Sequence, residues 1–247
     1  MHDVTMHHVL DRPPNPRSRT IGAVVFDVGE TLVDESVEYH AWADWLGVPR
    51  HTLSAVFGAV VAADRRHQDV FEYFRPGFDL DAERAARTAA GIPENYGEPD
   101  LYPDARRAMA ALQQAGYLVV IAANQTARSH RILESLDLPV DLVTTSAMWG
   151  GLEKPAPAFF DKVVEVCDEL SRSRGRGPIE CASCICYVGD RLDNDMRPAW
   201  DAGLRTAFIR RGPWGLIHGD HPDLVAKADF YLTTLDQLPA ALADEER

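Results

Sequence analysis

Short apolar runs rich in β-branched residues recur along this chain, separated by stretches whose apolar residues fall at helical spacing. The first, Ile21 to Phe26 (IGAVVF), has no polar alternate positions, so both faces of the strand it forms must be covered. Similar runs follow at Tyr117 to Ala122 (YLVVIA), Val140 to Thr144, Cys184 to Val188, Thr206 to Ile209 and Phe230 to Leu232. Between them the spacing predicts helices from Asp104 to Ala115, closed by Gly116, then over Ala127 to Leu136 and Ala158 to Leu170. Further helices are predicted from Asp193 to Ala202, closed by Gly203, and around Leu238 to Leu242. Strands alternating with amphipathic helices give an α/β fold, a parallel sheet with helices on both faces.

One stretch breaks the alternation. From residue 35 to 99 no strand-like run occurs; Trp42, Trp45, Leu46, Val56, Val60, Val61, Phe71 and Phe74 recur at helical spacing instead, so this segment reads as a helical insert. Trp42 and Trp45 are expected in its core. Residues 20–34 and 100–247 form the α/β domain around it. Residues 1–19, with Pro13, Pro14 and Pro16 and no periodicity, read as a flexible arm, and Ser171 to Gly177 (SRSRGRG) as a flexible basic loop.

Charge narrows the partners. Asp and Glu number 38 against 25 Lys and Arg, a formal charge of −13, which argues against nucleic acid and anionic membranes. No apolar run is long enough to span a bilayer, and the N-terminus lacks a signal-peptide profile, so a cytoplasmic protein is expected. The four cysteines, Cys167, Cys181, Cys184 and Cys186, are then expected to be buried thiols and not a disulfide framework. The Cys181-x-x-Cys184-x-Cys186 spacing has no second ligand pair for a metal, and the histidines show no zinc-binding spacing. No feature of the sequence sets the oligomeric state.

Ligands of an open parallel sheet gather at the carboxyl ends of its strands. The residues there are Asp27, Gly29, Glu30 and Thr31; Asn124 and Gln125; Lys154; and Asp190, Asp193, Asn194 and Asp195. Several carboxylates face one lysine. Ionised together in a small cleft they raise one another's pKa unless a cation neutralises them, and a hard divalent ion such as Mg²⁺, with oxygen ligands, fits that need.

The motifs FDVGETLVDE at 26 to 35, EKPAPAFF at 153 to 160 and YVGDRLDNDMRPAWDAGLRT at 187 to 206 resemble the haloacid dehalogenase superfamily of hydrolases, in order and in placement. The resemblance implies a Rossmann-like parallel sheet with an inserted helical cap domain at 35–99, where substrate choice would reside. It implies that Asp27 attacks phosphorus in line, giving an aspartyl-phosphate that water hydrolyses. Lys154 would position the nucleophile and offset charge. Asp27, the Gly29 carbonyl and Asp190 would bind Mg²⁺, with Asp195 supporting the metal or bracing Lys154. The implied substrate is a small phosphorylated metabolite, met by Asn124 and Gln125 and by the cap candidates Arg65, Arg66 and Arg75. Trp149 is expected near the entrance.

Two positions depart from the phosphatase pattern. A second aspartate normally stands two residues past the nucleophile and transfers the leaving-group proton; here that place is Gly29, and losing such a group costs about 10² to 10⁴ in rate. The neighbouring Glu30 lies one residue too far on. From this pattern alone, Gly29→Asp is expected to speed turnover. The second strand ends in Ala123 and Asn124 where a hydroxyl is usual, so Asn124 is the expected donor to a phosphoryl oxygen. Three readings follow: a Mg²⁺-dependent phosphatase that is slow on ordinary esters, a catalytically reduced binding or regulatory protein, and a haloacid dehalogenase. Retention of Asp190 and Asp195 argues against the last, because displacing halide from carbon needs no metal.

Overall fold

The Ile21 run folds into strand β1 (Ala23–Phe26), whose four side chains are all buried, at the centre of the computed structural model, which describes residues 20–245. The expected N-terminal arm, residues 1–19, lies outside the described residues. Strands β2 (Leu118–Ala123), β3 (Leu142–Thr145), β4 (Ile185–Gly189), β5 (Arg205–Ile209) and β6 (Phe230–Leu232) complete one sheet in the order β3-β2-β1-β4-β5-β6. Every pairing is parallel. The chain winds outward from β1 through β2 to β3, then returns to β4 on the other flank of β1. That reversal leaves a crevice beyond the carboxyl ends of β1 and β4. Phe26 pairs with Ile121 on one side and Val188 on the other, so Asp27, Asn124 and Asp190 emerge close together.

Alternate side chains of the central strands feed two cores. Val24, Phe26, Val119, Ile121 and Val188 pack against α5 (Ala105–Gln114), α6 (Ala127–Ser135) and α11 (Leu238–Glu245). Ala23, Val25, Leu118, Val120, Ile185 and Tyr187 pack against α7 (Pro157–Ser173), α8 (Arg197–Asp201) and α10 (Pro222–Lys227). Gly116 (φ 96°) and Gly203 (φ 81°) take the left-handed conformation just past the ends of α5 and α8, where a β-carbon would be strained.

The helices α1 (Ser36–Leu46), α2 (Arg50–Ala62), α3 (Asp69–Glu72) and α4 (Leu80–Ala89) lie between β1 and α5 and belong to neither core. Trp42, Leu53, Phe57, Val60, Val61, Val70 and Phe71 form a third cluster, joined by Trp214 of α9 (Gly212–His218) from beyond β5. The Phe57 and Trp214 rings meet edge to face at 5.0 Å. Trp42 stacks under Arg87, whose guanidinium lies 4.1 Å from the ring and 2.6 Å from Glu38.

Several local expectations need correction. Cys181 and Cys184 are joined in a disulfide, because the tight turn at Ala182–Cys184 brings their Cα atoms to 5.4 Å; Cys167 and Cys186 are the buried free thiols. The basic segment is less free than its composition suggests. Helix α7 runs on through Ser173, Arg174 pairs with Asp141 at 3.0 Å, and Arg176 donates to the Gly116 carbonyl at 2.6 Å. Trp149 packs on Phe159 at 5.0 Å as part of the second core. The helix expected from Asp193 begins instead with a wider turn over Leu192–Met196, in which the Met196 N–H reaches back to the Arg191 carbonyl. Such a turn re-aims a side chain, here Asp195. No helix among the described residues is long and apolar enough to cross a membrane.

Candidate active site

Asp27, Asp190 and Asp195 are buried beyond the ends of β1 and β4, and each brings a carboxylate oxygen within 4.8 Å of the other two. The Lys154 ammonium is the cation among them, 2.7 Å from Asp27 Oδ1 and 2.6 Å from Asp195 Oδ1. Burial disfavours its charge, but Asp195 and Asp27 outweigh burial and hold the ammonium well above the usual lysine range. The lysine's backbone is held from β2. Asn124 Nδ2 donates to the Lys154 carbonyl at 2.9 Å, and the Lys154 N–H donates to Asn124 Oδ1 at 2.8 Å.

Asp195 has both oxygens engaged, since Oδ1 meets Lys154 and Oδ2 accepts the Arg191 N–H at 3.0 Å. It crosses the end of β4 in space that only a glycine leaves open, because a β-carbon on Gly189 would stand 2.5 Å from Asp195 Cγ. Among the described residues, neither oxygen of Asp190 is engaged. Both are buried without a hydrogen-bond partner, and burial, then Asp195 and Asp27, push this carboxyl well above the ordinary aspartate range. A buried carboxylate without a partner is costly, and one beside two other carboxylates calls for a cation. The donors are hard oxygens, so the residues fit Mg²⁺.

Glu30 and Glu35 bound the crevice after β1. Glu30 adopts a left-handed backbone (φ 53°) and turns away, its Oε2 accepting the Tyr102 hydroxyl at 2.5 Å and its Oε1 the Glu35 N–H at 3.4 Å. Glu35 turns inward. A β-carbon on Gly29 would lie 2.5 Å from Glu35 Oε1 and 2.8 Å from its Cδ. Burial, reinforced by Glu30 and Asp27, pushes the Glu35 carboxyl up to about 8.

The remaining candidates are placed elsewhere. Asn124, expected to reach a phosphoryl oxygen, spends its amide on the backbone of Lys154. Gln125 Oε1 accepts the Ser129 hydroxyl at 2.5 Å. Arg65, Arg66 and Arg75, expected to face an anionic substrate, are bound to carboxylates of their own segment. Arg65 meets Asp69 at 3.1 Å, Arg66 the same Asp69 at 3.4 Å, and Arg75 meets Glu83 at 2.5 Å. The first two lie in the link between α2 and α3, where Asp69 is only four and three residues away. The arginine that does border the site is Arg191, absent from the expected set. Its guanidinium pairs with Asp193 at 2.6 Å and lies 4.5 Å from the Trp214 ring. Its position directly after Asp190 was the signal that could have found it.

Comparison with known proteins agrees with this geometry. A family model of haloacid dehalogenase-like hydrolases matches residues 21–203. A glyceraldehyde 3-phosphate phosphatase of Pyrococcus furiosus is 26% identical over 245 residues, covering 92% of this chain and 95% of that protein. Among solved structures, a predicted phosphoglycolate phosphatase from Haemophilus somnus 129PT superposes with a TM-score of 0.57 at 18% identity, over 90% of this chain and 97% of that one. The magnesium-bound HAD-hydrolase YfnB from Bacillus subtilis superposes with a TM-score of 0.59 at 18% identity, over 91% and 100%. With motifs in order, strands in place and the acidic cluster assembled around one lysine, the chain belongs to the haloacid dehalogenase-like hydrolases.

Proposed function

We propose that the protein is a Mg²⁺-dependent phosphatase acting on a small phosphorylated metabolite through an aspartyl-phosphate on Asp27. The observation that carries this reading is Asp190, whose two buried oxygens lack a hydrogen-bond partner among the described residues while Asp27 and Lys154 stand paired beside it. The full-length likeness to a glyceraldehyde 3-phosphate phosphatase supports a small phosphate ester as substrate.

In this reading Asp27 attacks phosphorus with one carboxylate oxygen. Lys154, 2.7 Å from Asp27 Oδ1, keeps that carboxylate aimed and stabilises charge building on the phosphoryl oxygens. Asp195 and Asn124 act as positioning residues, the first gripping the ammonium and the second the backbone of Lys154. Asp190, the other oxygen of Asp27 and the Gly29 carbonyl would hold Mg²⁺, which supplies positive charge beside the transferring group. Helices α1 to α4 act as the cap, with Trp214 and Arg191 at their junction with the sheet domain.

The test is phosphate release from a panel of phosphate esters and acyl phosphates, with Mg²⁺ and with EDTA, for the wild type and Asp27→Asn. Release should require Mg²⁺ and disappear in the variant. Undiminished release by Asp27→Asn removes the nucleophile. Metal-independent halide release from a 2-haloacid would select dehalogenation, and a Mg²⁺-dependent rise in Tm with no turnover would select a binding protein.

A further inference from the structure

A phosphate ester with an alkyl leaving group needs a proton at the departing oxygen, and the groups that ring Asp27 are poorly suited to supply it. The Lys154 ammonium is shared between two carboxylates, Asp195 has both oxygens engaged, and Glu30 is tied to Tyr102. Glu35 is different. It is the residue before α1, where its carbonyl accepts the Tyr39 N–H, yet its side chain does not cap the helix; that side chain folds back over Gly29, and among the described residues its carboxyl oxygens accept no hydrogen bond and enter no ion pair. The carboxyl occupies the space into which a side chain two residues past the nucleophile would grow, 2.5 Å from the point where a Gly29 β-carbon would stand. Its backbone is fixed there by Glu30, which accepts the Glu35 N–H and is itself held by the Tyr102 hydroxyl.

We propose that Glu35 is the proton-transferring catalytic residue of this enzyme, supplied from the start of α1 into the space left by Gly29; this rests on the phosphatase reading above. In the first half-reaction an Asp27 oxygen bonds to phosphorus, the bond from phosphorus to the ester oxygen breaks, and Glu35 gives its proton to that oxygen, releasing an alcohol. In the second, Glu35 takes a proton from water as the water oxygen bonds to phosphorus. The bond from phosphorus to Asp27 breaks, inorganic phosphate leaves, and Glu35 is protonated as at the start.

The geometry also reverses the expectation for Gly29→Asp. With Glu35 present the new side chain collides with its carboxyl, so turnover falls; with Glu35→Ala the space is vacant and an aspartate at 29 can take over.

The experiment compares wild type and Glu35→Gln by kcat/KM, which reports the first half-reaction, on glyceraldehyde 3-phosphate and on p-nitrophenyl phosphate. We expect a loss of about 10² to 10⁴ with the alkyl ester and less than about tenfold with the aryl ester, whose leaving group needs no proton. The aryl ester should also give one fast equivalent of p-nitrophenol followed by slow turnover, because the second half-reaction still lacks its base. The double variant Gly29→Asp/Glu35→Ala should recover at least about tenfold over Glu35→Ala on the alkyl ester. An equal loss on both esters, or no loss on the alkyl ester, overturns the role of Glu35 while leaving Asp27 and its metal intact. Absence of phosphate release by the wild type from either ester overturns both readings.

Discussion

Replacing Asp190 with asparagine should raise the stability of the protein without Mg²⁺ and abolish the stabilisation that Mg²⁺ gives. Asparagine has nearly the same shape, so packing is kept while the negative charge is removed. Without metal, the wild type buries a carboxylate whose two oxygens have no partner and whose neighbours Asp195 and Asp27 are also acidic. Relieving one uncompensated buried charge is worth about 1 to 3 kcal/mol, and at about 2 to 4 °C per kcal/mol for a chain of this size Asp190→Asn should raise Tm in EDTA by about 3 to 10 °C. With metal the gap closes. A wild-type site at a hundred times its Kd gains about 2.7 kcal/mol, again about 5 to 10 °C, and the variant gains almost nothing. Thermal melts of both proteins at pH 8, in EDTA and in excess Mg²⁺, check all four corners. A variant that melts lower than wild type in EDTA would show that Asp190 is not a strained, metal-awaiting ligand, and a wild type indifferent to Mg²⁺ would refute the metal site itself.

Two further predictions concern the junction of the helical insert with the sheet domain. Trp214→Ala removes an indole that is only 5% exposed, wedged between Phe57 and the Arg191 guanidinium, and should cost about 3 kcal/mol in urea unfolding; a loss below about 1 kcal/mol would mean that the junction does not depend on it. His67 meets the same indole edge to face at 5.8 Å, and burial, aided by Arg191, lowers its pKa to about 4. Because the unfolded chain takes up this proton near 6.5 and the folded chain only near 4, stability is fully present above about 6.5 and is lost as pH falls toward 4. The ring is partly exposed, so about 2 kcal/mol of the possible 3 is expected, and a denaturation midpoint equally acid-sensitive in His67→Gln would show that another group is responsible.

The acidic centre was legible in the sequence because two periodicities locate it. Buried parallel strands announce themselves as unbroken apolar runs, and the first polar residue after such a run lies at the sheet's carboxyl edge. Asp27, Asn124 and Asp190 could be placed there before any contact was known. Lys154 follows no strand directly, yet its place in the EKPAPAFF motif put it at the same edge. What failed were the readings that depended on which neighbour a side chain meets. Asn124 lies where expected, but its amide is consumed by the Lys154 backbone. Arg65, Arg66 and Arg75 carry the right charge, but local carboxylates take them first. The disulfide was hidden because its closure depends on a turn, not on composition.

By itself the sequence determined the α/β alternation, the run of helices after the first strand and the aspartates at the strand ends, since each follows from spacing along the chain. Only the tertiary structure decided which of these groups are already satisfied and which are not. It brought Trp214 from beyond β5 to close the core of α1 to α4, left Asp190 without a hydrogen-bond partner among the described residues, and folded Glu35 back over Gly29. Those outcomes depend on distances between residues far apart in the chain or across a turn, and such distances are set by packing, which a linear pattern does not encode.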